Sequence, residues 1–449
     1  MARLFGTDGV RGKANVDLTA ELALDLSVAA AHVLGEAGAF RSRPTAIVGR
    51  DPRASGEFLE AAVIAGLASA GVDVVRVGVV PTPALAFLVN DANADLGVML
   101  SASHNAMPDN GIKFFSRGGV KLDDSLEDAI EERLGEDWQR PTGANVGRVT
   151  TDLGAVEAYV AHLVASLGAD ASLDGIKVVL DCANGASYMT AVAAFETQGA
   201  EVIAIHHTPD GLNINENCGS THMGDIRRIV VEQGADLGLA FDGDADRCLA
   251  VDAEGNDIDG DQILAILALA LKEEHKLASG TVVATIMSNL GFVNAMKAEG
   301  IKVDATKVGD RYVLESMNAN GFVLGGEQSG HVIMSEFATT GDGVLTGLHL
   351  AARMARTGRT LKELAGVMSR LPQVLLNVQN VDKLRAGIDP DVNAAVARAN
   401  QELGDTGRVV LRPSGTEPVV RVMVEAGTSE QAQQIAEKLA DIVKSRVSL

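Results

Sequence analysis

The same strand, helix, strand pattern is written three times into this chain. In the first copy Ala46-Ile47-Val48-Gly49 reads as a buried strand and Arg50-Asp51-Pro52-Arg53 as a polar turn. An Ala-rich helix follows from about Gly56 to Ala70, and Gly71 ends it before a second strand, Val72 to Val77. The second copy runs through Lys177 to Leu180, a helix near Ser187 to Thr197, and Glu201 to Ile205. The third runs through Thr281 to Thr285, a helix from about Gly291 to Ala298, and Ile301 to Asp304. Such units close only as parallel α/β sheets, so three related α/β domains with mixed sheets are expected.

The repeat extends into the loops. Leu96 to Leu100 leads into Ser101-Ala102-Ser103-His104-Asn105, with a turn expected at Asp109-Asn110-Gly111 and a returning strand at Ile112 to Phe115. Leu237 to Phe241 leads into Asp242-Gly243-Asp244-Ala245-Asp246-Arg247, and Gly321 to Gly325 into Gly326-Glu327-Gln328-Ser329-Gly330-His331. Equivalent strand ends thus present three polar loops, which could converge on one central cleft.

After Leu371-Pro372 the pattern changes. Strands are expected near Val374 to Val378, Val409 to Leu411 and Val419 to Val424, with helices near Asp391 to Leu403 and Glu430 to Val443. This is a small α+β domain with an antiparallel sheet. The resulting division is 1–150, 151–253, 254–370 and 371–449, in keeping with a length of 449 residues, too great for one core.

A formal net charge of −22 argues against nucleic acid or an anionic membrane as partner, since both reward a basic surface. The longest apolar run, Ile263 to Leu271, is too short for a membrane span and reads as a core helix. Cys182, Cys218 and Cys248 form no C-x-x-C pair, and the first residues lack the apolar segment of a secretory signal. Reduced, buried thiols in a cytoplasmic protein are therefore expected.

Three carboxylates at alternate positions, Asp242, Asp244 and Asp246, offer oxygen ligands to a hard divalent cation. Without one they repel by about 4 kcal/mol per pair at 4 Å and an effective dielectric of 20. An EF-hand does not fit, because its sixth position would be Arg247 and its twelfth Ala253. A solvated acidic turn is the competing reading. Arg412, Ser414, Gly415, Thr416 and Arg421 combine guanidinium groups, hydroxyls and flexible backbone, which suits either a phosphate grip or a tight surface turn. Glu327 and Ser329 could bond sugar hydroxyls, and His331 could move a proton. No G-x-S-x-G elbow surrounds Ser103, which disfavours a serine hydrolase.

The four loops, in this order, resemble those of the α-D-phosphohexomutases over essentially the whole chain. The opening Phe5 to Gly12 and the Gly-Glu-Gln-Ser-Gly-His loop are most similar to the bacterial amino-sugar branch. The resemblance implies an isomerase that moves a phosphoryl group between the 6- and 1-positions of a hexosamine through a phosphoserine at Ser103 and a 1,6-bisphosphate. It implies one Mg²⁺ per active site, held by Asp242, Asp244, Asp246 and the group on Ser103. Arg11, His104, Lys113 and Arg247 would surround the phosphoserine, with Lys113 or His331 as base. Glu327, Ser329 and His331 would meet the sugar, and Arg412, Ser414, Gly415, Thr416 and Arg421 its distal phosphate. Glucosamine or glucose 1,6-bisphosphate is the expected activator, and a homodimer is compatible with the family. Many relatives carry proline after His-Asn where this chain has Ala106; no catalytic group is lost. The alternatives are a mutase for mannose or glucose phosphates, or a regulator that binds phosphosugars without turnover. A mere binder needs no phosphorylatable serine beside a metal loop.

Overall fold

The structure, a computed structural model, describes residues 3–6, 8–413 and 419–449. The chain packs as two compact units, Met1–Thr285 with Asp304–Ala365, and Ile286–Val303 with Gly366–Leu449.

The larger unit holds mixed sheets. The first has eight strands, running Phe5–Gly6, Gly9–Lys13, Asp109–Ser116, Leu96–Leu100, Thr45–Arg50, Asp73–Val79, Val149–Thr151, with Val120–Lys121 beside Asp109–Ser116. Thr45–Arg50 is parallel to both Asp73–Val79 and Leu96–Leu100, as a strand, helix, strand unit requires. Helix Ala20–Glu36 begins where Thr19 Oγ1 accepts the Leu22 N–H at 3.2 Å. It packs on helix Ser55–Ser69, burying Leu26, Ala30, Leu59 and Val63 in one core.

The second sheet runs Glu201–Ile205, Lys177–Asp181, Leu237–Phe241, Cys248–Asp252, Asp257–Ile258. The third runs Lys302–Thr306, Thr281–Thr285, Leu324–Gly326, Val332–Met334. In all three sheets a parallel strand is followed by an antiparallel return: Leu96–Leu100 by Asp109–Ser116, Leu237–Phe241 by Cys248–Asp252, and Leu324–Gly326 by Val332–Met334. The three polar loops fill those reversals.

One expectation is corrected. Asp109-Asn110-Gly111 is not a turn but the start of strand Asp109–Ser116, and the chain reverses earlier, between His104 and Pro108. The cause is the N-terminal strand Gly9–Lys13, which pairs Arg11 with Gly111 and Gly12 with Asn110. Turn-forming residue types yield to that long-range ladder.

In the smaller unit, Gln373–Gln379, Val419–Glu425 and Arg408–Pro413 form an antiparallel sheet with Val419–Glu425 at its centre. Helices Pro390–Leu403 and Ser429–Val447 cover it, with Val420, Val422, Leu439 and Val443 in the core. Glu425, fully buried, accepts from Arg408 Nε at 2.7 Å and from Leu290 N at 3.0 Å.

The three cysteines are buried and unpaired by disulfide. The apolar run Ile263 to Leu271 lies in helix Gly260–Glu273, capped by Asp259. Among the described residues no helix is long and apolar enough to cross a membrane.

Helix Gly343–Thr357 is capped by Asp342, whose Oδ1 accepts the Leu345 N–H at 2.9 Å while Oδ2 accepts the Tyr159 hydroxyl at 2.7 Å. Burial pushes the Asp342 carboxyl up to about 6, although both donors oppose it. The folded chain thus holds this proton more tightly than the unfolded one. That stability is full below the ordinary value of 3.8 and is lost as pH rises through about 6, by about 3 kcal/mol at roughly 1.4 kcal/mol per pH unit. Asp342→Asn keeps the cap through Oδ1, makes the Tyr159 hydroxyl an acceptor from Nδ2, and removes the titration. In urea denaturation it should gain on the wild type by that amount between pH 4 and 7; parallel profiles would contradict the assignment.

Candidate active site

Ser103 is the residue against which the site is built. Its Oγ donates to Asp242 Oδ2 at 2.5 Å and lies 3.2 Å from His104 Nδ1. The side chain is buried, and the backbone stands at φ 52°, in the left-handed region that costs a non-glycine residue about 1–3 kcal/mol. Something must hold it there. The Arg53 guanidinium, itself fully buried, donates to the carbonyl oxygens of Ser103 (3.0 Å), Asn105 (2.8 Å), Ala106 (2.7 Å) and Asp109 (3.0 Å). Its Nε bonds Asp51 Oδ2 at 2.9 Å, and that oxygen also takes the Ser101 hydroxyl at 2.7 Å. Asn215 Nδ2, from the second sheet's loop, adds bonds to the Ser103 and Asn105 carbonyls at 2.8 and 3.0 Å. Gly243 comes so close that a β-carbon there would stand 2.6 Å from the Ser103 carbonyl oxygen.

Behind the serine lie Asp242, Asp244 and Asp246, all buried, each with a carboxylate oxygen within 4.8 Å of the others. Asp244 Oδ2 accepts from Lys113 Nζ at 2.7 Å and from Thr82 Oγ1 at 2.6 Å. Against the cost of burial, Lys113 holds the Asp244 carboxyl well below the usual range. Asp242 is displaced the other way, raised by burial and then by Asp246 and Asp244. Asp246 moves up as well, through burial and Asp244. Asp244 Oδ1 and Asp246 Oδ1 are buried with no hydrogen-bond partner among the described residues. Two unpartnered carboxylate oxygens in a site with excess negative charge, all donors being oxygen, fit a hard divalent cation.

Positive charge is drawn up around them. Lys113 also meets Asp8 Oδ2 at 2.8 Å, and Arg11 meets the same oxygen at 2.5 Å. The Arg247 guanidinium lies 3.8 Å from Asp246 Oδ1, and its backbone N–H donates to Asp242 Oδ1 at 3.2 Å. Burial, with Arg247 and Arg11 close by, pushes His104 down to about 4, so its imidazole is a neutral hydrogen-bonding group at pH 7.

The third loop closes on the same region. His331 is buried, and neither ring nitrogen has a hydrogen-bond partner among the described residues. Its Nε2 lies 3.8 Å from Asp310 Oδ2. The ring packs on Gly341, where a β-carbon would collide with it. Glu327 Oε1 accepts the Gly309 N–H at 3.0 Å, and Ser329 is exposed on the loop. In the smaller unit Arg412 and Arg421 are direct cross-strand partners, at the ends of the strands flanking residues 414–418. Ser414, Gly415 and Thr416 lie outside the described residues.

The structure therefore gathers Ser103, His104, Arg11, Lys113, the three aspartates, Arg247 and His331. Sequence reasoning passed over Asp8, Arg53, Thr82, Lys121, Asn215 and Asp310. Asp8 and Arg53 stand in polar turns that the sequence does display. Thr82 and Asn215 carry no such signal.

Four family models cover nearly the whole chain: phosphoglucomutase/phosphomannomutase alpha/beta/alpha domains I, II and III at residues 2–140, 157–255 and 259–371, and the C-terminal domain at 375–442. The chain belongs to the phosphoglucomutase/phosphomannomutase family. Among its relatives, the phosphoglucosamine mutase of Cutibacterium acnes is 77% identical over 450 residues, covering 100% of both chains. That of Streptomyces griseus is 66% identical over 99% of each. A crystal structure of a family protein from Burkholderia thailandensis matches with a TM-score of 0.83 at 23% identity, over 100% of this chain and 99% of that one. In this structure an acidic loop that could hold a metal lies beside the serine.

Arg53 supplies the prediction. Arg53→Met leaves Asp51 buried and unpaired and frees four carbonyls of the serine loop, so unfolding free energy should fall by about 3–5 kcal/mol. Arg53→Lys, with charge but fewer donors, should recover part of the loss. A deficit under about 1 kcal/mol for Arg53→Met in denaturant titration would remove Arg53 from this role.

Proposed function

We propose that this chain is a phosphoglucosamine mutase, interconverting glucosamine 6-phosphate and glucosamine 1-phosphate through a phosphoserine at Ser103 and glucosamine 1,6-bisphosphate. The observation that carries the reading is the Ser103 hydroxyl lodged 2.5 Å from Asp242 in a three-aspartate loop, in a chain 77% identical end to end to a relative of that name.

Asp242, Asp244 and Asp246, with the group on Ser103, would hold one Mg²⁺, which when bound neutralises phosphoryl charge and orients it for transfer. Arg11, Lys113, His104 and Arg247 then act on the phosphoryl oxygens as hydrogen-bond donors and countercharge. In the forward step the Ser103 Oγ–P bond breaks as the sugar hydroxyl oxygen bonds to phosphorus, and the hydroxyl proton passes to a base. His331 is that base: its ring nitrogens are unpartnered, whereas Lys113 is held between Asp244 and Asp8 at 2.7 and 2.8 Å. Glu327 and Ser329 position the sugar. Arg412, Ser414, Gly415, Thr416 and Arg421 grip the distal phosphate, first at one end of the sugar and, after the bisphosphate turns, at the other.

Segments 1–150, 151–253, 254–370 and 371–449 serve as phosphoserine, metal, sugar and phosphate domains. The enzyme works in the cytoplasm on a hexosamine phosphate, as a homodimer, with glucosamine or glucose 1,6-bisphosphate as activator, feeding UDP-N-acetylglucosamine and cell-wall precursor synthesis.

A side-by-side assay of glucosamine, glucose and mannose 6-phosphates tests the reading. The highest kcat/KM should fall to glucosamine 6-phosphate, chelation should abolish turnover until Mg²⁺ is returned, and Ser103→Ala should be inactive. A higher kcat/KM for mannose or glucose phosphate would move the chain to the phosphomannomutase/phosphoglucomutase reading, and near-normal turnover by Ser103→Ala would end both.

A further inference from the structure

A second donor cluster lies at the C-terminal end of the second sheet, apart from the three aspartates. Asp181 ends strand Lys177–Asp181, His206 follows the neighbouring parallel strand Glu201–Ile205, and Cys218 precedes the Gly219–Thr221 turn. One donor atom from each lies within 4.8 Å of the other two. Asp181 and Cys218 are fully buried, while the His206 side chain is 25% exposed and gives the cluster an opening to solvent.

Two features point to a ligand rather than to a closed ion pair. His206 Nδ1 is buried and lies 3.1 Å from Asp181 Oδ2, close enough to pair with it, but the contact is not aligned as a hydrogen bond, and the nitrogen has no hydrogen-bond partner among the described residues. On the ring's far side Asp225 Oδ2 stands 3.6 Å from Nε2, the position of the carboxylate that fixes the tautomer of a metal-ligating histidine. The Asp181 carboxylate is itself held in place, Oδ1 accepting the Ala183 N–H at 2.9 Å and Oδ2 the Gly219 N–H at 3.0 Å.

We propose that Asp181, His206 and Cys218 form a site for a single borderline-soft divalent cation of the Zn²⁺ class. Carboxylate oxygen, imidazole nitrogen and sulfur are the donors such an ion accepts, with water in the fourth position, whereas Mg²⁺ keeps to oxygen. The two clusters thus sort metals by donor type. As the metal–sulfur bond forms, the Cys218 thiol gives up one proton to solvent.

The site has a structural use. His206 and Cys218 bracket the segment carrying Asn215, whose amide bonds the carbonyls of Ser103 and Asn105. An ion joining both ends of that segment to Asp181 restrains the loop that supports the serine.

Co²⁺ serves as the probe, added to the full chain in the presence of excess Mg²⁺. One equivalent should bind with a thiolate-to-cobalt charge-transfer absorption, release one proton, and be displaced by Zn²⁺. The band should vanish in Cys218→Ser and persist in Cys182→Ser and Cys248→Ser. His206→Asn should weaken binding on the order of 100-fold. Absence of the band in the wild type, its survival in Cys218→Ser, or its loss in Cys182→Ser alone would overturn the proposal. If Cys218→Ser does not fold, wild-type proton release and the His206→Asn affinity decide it: no released proton, or unchanged affinity, is a refutation.

Discussion

All five N–H donors of Arg53 are taken up, one by Asp51 and four by backbone carbonyls of the serine loop. A guanidinium has five such donors in a fixed plane, so this one side chain dictates where four carbonyls point. It does so without exposure to water, and Asp51 cancels its charge at 2.9 Å. The left-handed backbone at Ser103 follows from that constraint, and so does the short contact with Asp242. A softer anchor would let the serine relax toward an ordinary conformation and away from Asp242.

The second requirement is electrostatic. Three buried aspartates face one another, and the protein answers with Lys113 and Arg11, which share Asp8, and with Arg247 beside Asp246. Asp8 Oδ1 in turn meets Lys121 at 2.7 Å, and Lys121 also contacts Asp310, the carboxylate beside His331. A continuous chain of alternating charge therefore runs from the serine's surroundings to the His331 loop. Against the cost of their burial, both lysines are held strongly protonated by their carboxylate neighbours. The chain's overall excess of acid is offset locally where an anionic substrate would meet it.

Much of this is legible in the sequence because the repeat is periodic. Strand ends recur in the same relation to apolar runs, so the Ser103, Asp242 and His331 loops can be matched from the order of residues alone. The Thr19 cap and the core helix through Ile263 to Leu271 carry local signals of the same kind. What stays hidden depends on distance along the chain. Ser103 and Asp242 are 139 positions apart and Lys121 and Asp310 are 189 apart, and no local pattern announces such a pairing. Asp109 to Gly111 mislead for the same reason: three turn-prone residues become strand once residues 9–13 pair with them. Arg53 reads as a surface turn residue, and only its burial turns it into an anchor.

We propose that Ser103 carries the phosphoryl group between the two ends of the sugar. The most direct measurement loads the enzyme with labelled phosphate from labelled glucose 1,6-bisphosphate, mixes it with unlabelled glucosamine 6-phosphate, and quenches within a single turnover. Label should leave a Ser103 peptide and appear in glucosamine 1,6-bisphosphate at the rate of the first turnover. Product formed while the label stays on the protein, or label released from a residue other than Ser103, would contradict it.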